Sequence, residues 1–147
     1  MNNIKYLFGI GAILSLFFFA CADTDNQAVQ QASLNPNGDS ELALLMRAMF
    51  LDGMQVKEAL KKGEKPEISV EFEKIHSAKA TEPEKAASDT YHAFALAYEQ
   101  SVLALQDAAA DAAPVYYDQM VSACMNCHKA ICPGPTMRIQ QLEWKRE

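Results

Sequence analysis

Near the carboxyl end of the chain, Cys124-Met125-Asn126-Cys127-His128 places two thiols and one imidazole within a single short stretch. On an α-helix, positions i, i+3 and i+4 lie on one face, so Cys124, Cys127 and His128 point in the same direction. One helical turn therefore presents two sulfurs and one nitrogen to the same neighbour. This stretch constrains the fold most strongly, because the rest of the chain must leave this face of the helix next to whatever group the two sulfurs and the nitrogen bind.

The spacing Cys-x-x-Cys-His is the attachment pattern of c-type haem. In that pattern the two thiols add across the haem vinyl groups, and the imidazole below them reaches the iron. The sequence therefore predicts one covalent haem c, held by Cys124 and Cys127, with His128 as an axial ligand.

Two other kinds of site use the same residue types. The two motif cysteines and Cys132 can supply three ligands of a zinc site, with His76 or His92 as the fourth. A redox-active Cys-x-x-Cys is the second alternative, although such a motif normally follows a strand in a βαβ unit that this sequence lacks.

The first 22 residues have the pattern of a signal peptide. Lys5 provides a positive start, and the apolar run over residues 6–19 is shorter than the roughly 20 residues that a bilayer span needs. Phe18-Phe19-Ala20-Cys21 resembles a bacterial lipoprotein box in which Cys21 is acylated, with Phe18 where Leu is usual. An ordinary Ala20-Cys21-Ala22 cleavage site and a retained anchor helix are the alternatives. We therefore expect export to the periplasm or cell envelope and attachment to the membrane by a lipid anchor.

Composition limits the partners and the function class. Residues 22–38 are polar and lack apolar periodicity, which predicts a flexible linker before a folded domain over residues 39–147. The chain has 19 Asp and Glu against 13 Lys and Arg, which argues against nucleic acid as a partner and favours a redox partner protein of basic surface. No phosphate loop or nucleophile elbow occurs, so the chain is not expected to be an enzyme.

Apolar residues after the linker repeat at helical spacing, without strand-like alternation. The periodicity predicts four helices, over residues 40–62, 68–79, 81–110 and 114–132, the third opened by the capping box Thr81-Glu82-Pro83-Glu84. This predicts an all-α, antiparallel four-helix bundle with the haem in its core. The tail, residues 133–147, either packs beside the haem edge or frays. Cys132 is either a buried free thiol or a bridge between two chains, which would give a homodimer.

With the motif on the last helix of such a bundle, residues 40–132 resemble the class II c-type cytochromes, the cytochrome c′ family and its low-spin relatives. The resemblance implies that His128 is the proximal ligand and that a first-helix residue faces the distal side. A distal Met gives six-coordinate, electron-carrying iron, and an apolar residue gives five-coordinate iron that binds NO or CO. Met46 and Met49 are the candidates, and Gly53 would leave room for the macrocycle.

Two features depart from that family. An Arg often precedes the distal residue by one turn, and here Arg47 precedes Leu51, which would make Leu51 distal and the iron five-coordinate. The continuation Cys132-Pro133-Gly134-Pro135 is absent from the usual family ending. The favoured function is a single-haem electron carrier outside the cytoplasm. A gas-binding haem protein and a zinc-binding or structural lipoprotein are the alternatives.

Overall fold

Helices make up the regular structure of the part of the chain that the computed structural model describes, residues 38–145. Five α-helices occur there, two of them single turns: α1 Glu41–Lys61, α2 Pro83–Ala86, α3 Asp89–Asp107, α4 Ala113–Ile131 and α5 Thr136–Ile139. Two 3₁₀ turns, Phe72–His76 and Gln140–Leu142, complete the set. The all-α prediction is confirmed.

The predicted signal peptide, the acylated Cys21 and almost all of the linker lie outside the described residues. None of the described helices is long and apolar enough to cross a membrane.

The first and last of the predicted helices are confirmed almost to the residue. The side chain of Ser40 accepts a hydrogen bond from Ala43 N at 3.2 Å and caps α1. Gly63, at φ +72°, lies just beyond the end of α1 in a conformation that favours glycine. Pro114 lies in the first turn of α4, where its missing N–H costs nothing, and α4 ends before Pro133.

The helix predicted over residues 68–79 is wrong. Asp52 on α1 accepts hydrogen bonds from Ser69 N at 3.0 Å and from Ser69 Oγ at 2.6 Å, which holds this segment against α1. Only the 3₁₀ turn Phe72–His76 forms beyond it. Its two buried side chains, Phe72 and Ile75, are three residues apart, which is the repeat of a 3₁₀ helix.

The capping box at residues 81–84 is also wrong. Thr81 Oγ1 donates to Ser40 Oγ at 2.9 Å, and Glu82 makes no side-chain capping bond to the single turn α2. The long helix α3 begins only at Asp89, after Ser88 Oγ accepts from Tyr91 N at 3.2 Å. The described chain therefore has three long helices, α1, α3 and α4.

The antiparallel pair α3 and α4, joined by the short segment 108–112, forms most of the core. Tyr117, Val102 and Leu105 are completely or almost completely buried between these helices. α1 adds its own buried stripe, which includes Met49, Val56 and Leu60. Several residues predicted for the seams are half-buried at the edge of this core: Leu42, Met46, Phe94, Cys124, Cys127 and Ile131.

Residues 133–145 form a C-terminal strap that packs on α1 and α4, so the fraying alternative is wrong for these residues. Leu142 is 3% exposed, and its backbone oxygen accepts a hydrogen bond from Tyr117 Oη at 2.8 Å. Lys57 on α1 is 8% exposed, and its Nζ donates to Gln141 O at 2.5 Å. The strap is therefore part of the folded domain.

Candidate haem attachment site

The motif lies in the last turns of α4. Cys124, Cys127 and His128 are all half-buried there, and one helix brings them together as the spacing predicts. Burial, and secondarily the nearby Cys127, raise the pKa of Tyr91 on α3 to about 12. A buried aromatic side chain of α3 therefore lies near Cys127.

His128 is held in one tautomer by its own backbone. Its Nδ1 lies 3.0 Å from Cys132 O, at the end of the helix. A carbonyl oxygen only accepts hydrogen bonds, so Nδ1 must carry the proton and Nε2 of the neutral ring keeps its lone pair. Burial lowers the pKa of His128, and the bond to Cys132 partly offsets that effect. The ring is therefore neutral near pH 7, with Nε2 able to bind a metal.

The thiols of the motif are not arranged for thiol–disulfide chemistry. Burial raises the pKa of Cys124 to about 12, and burial followed by the proximity of Cys132 raises the pKa of Cys127. The motif also lies at the carboxyl end of α4, where the helix dipole disfavours a negative charge. Redox-active cysteines need a lowered pKa. These thiols are protonated at neutral pH, which argues against the redox alternative.

The zinc alternative lacks its ligands. Within residues 38–145, no three His, Cys, Asp or Glu side chains are gathered in a way that would hold a metal ion. His76 Nε2 instead bonds Glu99 Oε2 at 2.8 Å, and His92 is exposed on α3. Neither histidine therefore completes a site with the motif cysteines.

Hydrogen bonds show how α1 lies relative to α4. Tyr117 Oη, near the start of α4, is 3.2 Å from Gly53 O on α1. The amino end of α1 is bonded to the segment before α2, through Leu42 N to Lys79 O at 3.0 Å. A hydrogen bond to Glu82 chiefly raises the pKa of the exposed Lys85, in the same region, and Cys132 at the end of α4 adds a smaller contribution. The beginning of α1 and the end of α4 are therefore neighbours, and the two helices run antiparallel.

This arrangement separates the two methionine candidates. A Cβ added at Gly53 would lie 3.8 Å from the terminal methyl of Met120, so the Gly53 face of α1 is turned towards α4. Met46 precedes Gly53 by seven residues, or two turns, and shares that face. Met49, four residues before Gly53, shares that face as well and is 8% exposed. Because α1 and α4 run antiparallel and Met46 is one turn farther than Met49 from Gly53, Met46 lies closer to the level of His128.

Two expectations from the family resemblance are wrong. Leu51 is 57% exposed on the outside of α1, so it cannot be the distal residue, and Arg47 is paired with Asp39 and with Gly38 O. Gly53 does not leave free room for a macrocycle, because the side chain of Leu142 fills the space beside it. A Cβ at Gly53 would lie 3.2 Å from Leu142 Cδ2.

An open groove of about 630 Å³ runs between α3 and α4 on the outside of the domain. Phe94, Ala97 and Val115 are among its lining residues, and Asn126 is its only contribution from the motif. Cys124, Cys127 and His128 do not line it, so this groove is not the candidate site.

Comparisons with protein-family profiles, with curated proteins and with solved structures find no match to this chain. The function of the chain is therefore inferred from its residues and their geometry. The sequence could not reveal that the backbone carbonyl of Cys132 orients His128, because every residue has such a carbonyl. The sequence also did not show that Lys57 bonds the segment after α4. Its spacing of four residues from Gly53 was the one sign that Lys57 lies on the inner face of α1.

Proposed function

We propose that this protein is a c-type cytochrome that carries single electrons outside the cytoplasm. Cys124 and Cys127 would hold one haem c through thioether bonds, His128 Nε2 would bind the iron, and Met46 would be the second axial ligand. The observation that carries the proposal is the hydrogen bond from His128 Nδ1 to Cys132 O, which leaves Nε2 available on the same turn as the two thiols. Metal-binding histidines are commonly oriented in this way.

The donor set fits a covalently attached haem. Two sulfurs and a neutral imidazole nitrogen share one turn, and thiols whose pKa is raised by burial are poor partners in reversible thiol–disulfide exchange. Bound haem supplies one-electron chemistry at the iron, and a His/Met ligand pair raises its potential. The chain's own residues orient the imidazole, supply a sulfur ligand from α1 and exclude water.

The finer architecture is part of the proposal. We infer a helical-bundle cytochrome in which α1, α3 and α4 surround the haem, and the segment containing the 3₁₀ turn Phe72–His76 stands where a fourth long helix would be. Haem insertion then requires the side chains between α1 and α4 to move apart. Because Leu142 and Met120 fill the seam beside Gly53, this movement has to involve the strap.

The predicted lipoprotein signal supports a place in the cell envelope, with acylated Cys21 holding the domain at a membrane surface. One lipid-modified terminus followed by a polar linker lets the domain reach a redox partner protein without spanning the bilayer. A homodimer bridged through Cys132 would be detected by non-reducing electrophoresis.

Visible spectra of the purified protein, oxidised and reduced, test the function. We expect sharp α and β bands in the reduced form and a sulfur-to-iron charge-transfer band in the oxidised form. Met46→Ala should abolish the charge-transfer band, and Met49→Ala, the matched control on the same helix, should retain it. Broad high-spin bands in the unmodified protein would instead indicate five-coordinate iron that binds NO or CO. A denaturing gel without covalent haem would refute both haem functions.

A further inference from the structure

We propose that the C-terminal strap, residues 133–145, is a releasable cover over the seam between α1 and α4, and that its opening controls the access of small ligands to the iron. The second part rests on the proposed function. The first part concerns the polypeptide alone and can be tested without haem.

The strap is connected to both sides of the candidate site. It begins directly after Cys132, whose carbonyl oxygen holds His128 Nδ1. Farther along, the Arg138 guanidinium lies 4.8 Å from the centre of the Phe50 ring on α1. Phe50 is one helical turn from Met46. The strap therefore extends from the proximal histidine to the side of α1 that carries the proposed distal ligand.

Few apolar side chains hold the strap in place. Ile139 is 6% exposed and Leu142 is 3% exposed, while most other strap residues are exposed or half-buried. Leu142 lies against Gly53, where any larger residue would crowd its Cδ2 at 3.2 Å. Leu142, Ile139 and the half-buried Trp144 are therefore the apolar side chains that hold the strap closed, with Leu142 the most deeply buried of them.

The polar anchors can be released without leaving a buried group unpaired. Lys57 Nζ bonds the carbonyl oxygens of Gln141 and Glu143, at 2.5 Å and 3.5 Å, and its long side chain can carry the ammonium to water when they leave. Tyr117 Oη has Gly53 O within 3.2 Å as an alternative acceptor to Leu142 O. Opening therefore avoids the penalty of buried unsatisfied polar groups.

The strap's own backbone bonds are local. Arg138 N donates to Pro135 O at 2.9 Å, and Glu143 N donates to Gln140 O at 3.1 Å, so neither bond attaches the strap to α1 or α4. Side chains, rather than a continuous backbone ladder, attach the strap to the rest of the domain. Segments held in this way open locally, with a smaller free energy than global unfolding requires.

The single tryptophan of the chain, Trp144, lies in the strap and is half-buried, so its fluorescence reports opening. Trypsin cleavage after Arg138 provides a second readout. In the full chain, Leu142→Ala should make opening roughly 30-fold or more frequent, because a buried Leu loses its packing. Acrylamide quenching of Trp144 and cleavage at Arg138 should both increase, with unchanged far-ultraviolet circular dichroism. Leu103→Ala, at a position 44% exposed on α3, is the matched control.

The same variants in the haem-loaded chain test the second part. Imidazole binding to the ferric protein should accelerate by about the factor measured for strap opening, and Lys57→Met should act in the same direction while Lys62→Met does not. If Arg138 is cut only in proportion to global unfolding, the releasable cover is refuted. If the strap opens but imidazole binding is unchanged, the control of access is refuted. Absence of attached haem would count against the proposed function and would leave the fluorescence test intact.

Discussion

Replacing Tyr117 with Phe isolates the hydrogen bond that joins α4 to the strap. Tyr117 is completely buried, and its hydroxyl donates to Leu142 O at 2.8 Å, with Gly53 O at 3.2 Å as the second nearby acceptor. The substitution keeps the ring and removes only the donor. It leaves the Leu142 carbonyl buried without its partner, so we expect a loss of about 1–2 kcal/mol in the free energy of unfolding. For a domain of this size, the melting temperature should fall by roughly 4–10 °C.

Thermal unfolding followed by circular dichroism at 222 nm measures this loss, and urea unfolding provides the free energy independently. Tyr116→Phe is the matched control, because Tyr116 is the adjacent residue, is half-buried against the core and has a hydroxyl that makes no hydrogen bond within residues 38–145. We expect Tyr116→Phe to change the melting temperature much less. Equal melting temperatures for the two variants would refute the placement of the strap on α4.

Two further predictions concern pH and capping. Burial raises the pKa of Cys124 from 9.0 to about 12, so the haem-free fold keeps its stability below pH 9 and loses up to about 1.4 kcal/mol per pH unit between those values. A thioether does not titrate, so urea unfolding of the haem-loaded protein should lack this contribution, and Cys124→Ser should remove it from the haem-free chain. Ser88→Ala should cost about 1 kcal/mol through loss of the α3 cap, and Ser122→Ala, on the exposed side of α4, should cost less than about 0.5 kcal/mol.

Local signals made α1 and α4 predictable from the sequence. Ser40 and Gly63 mark the two ends of α1, and Pro114 and Pro133 mark those of α4. Each acts through its own backbone conformation or through a residue three or four positions away. The relative positions of the motif residues were predictable for the same reason, because the helix spacing alone brings them to one face.

Contacts between distant parts of the chain decided the remaining features. Thr81 looks like a helix cap, but its hydroxyl bonds Ser40, 41 positions away. The sequence after Gly63 has a helical pattern, but the bond between Asp52 and Ser69 holds this segment against α1 instead. The strap is held by the bond from Lys57 to the backbone of Gln141, 84 positions later. Periodicity and propensity contain no information on such pairs. The predicted second helix, the capping box and the alternative of a fraying tail were wrong for this reason.

The mass of the mature polypeptide tests the central claim most directly. We expect the added mass of one haem on the intact chain, and we expect Cys132→Ser to retain it. Cys127→Ser should lose one of the two thioether bonds, and the double variant Cys124→Ser with Cys127→Ser should carry no haem at all. An unmodified chain without the added mass, or a double variant that still carries covalent haem, would contradict the attachment of haem at this motif.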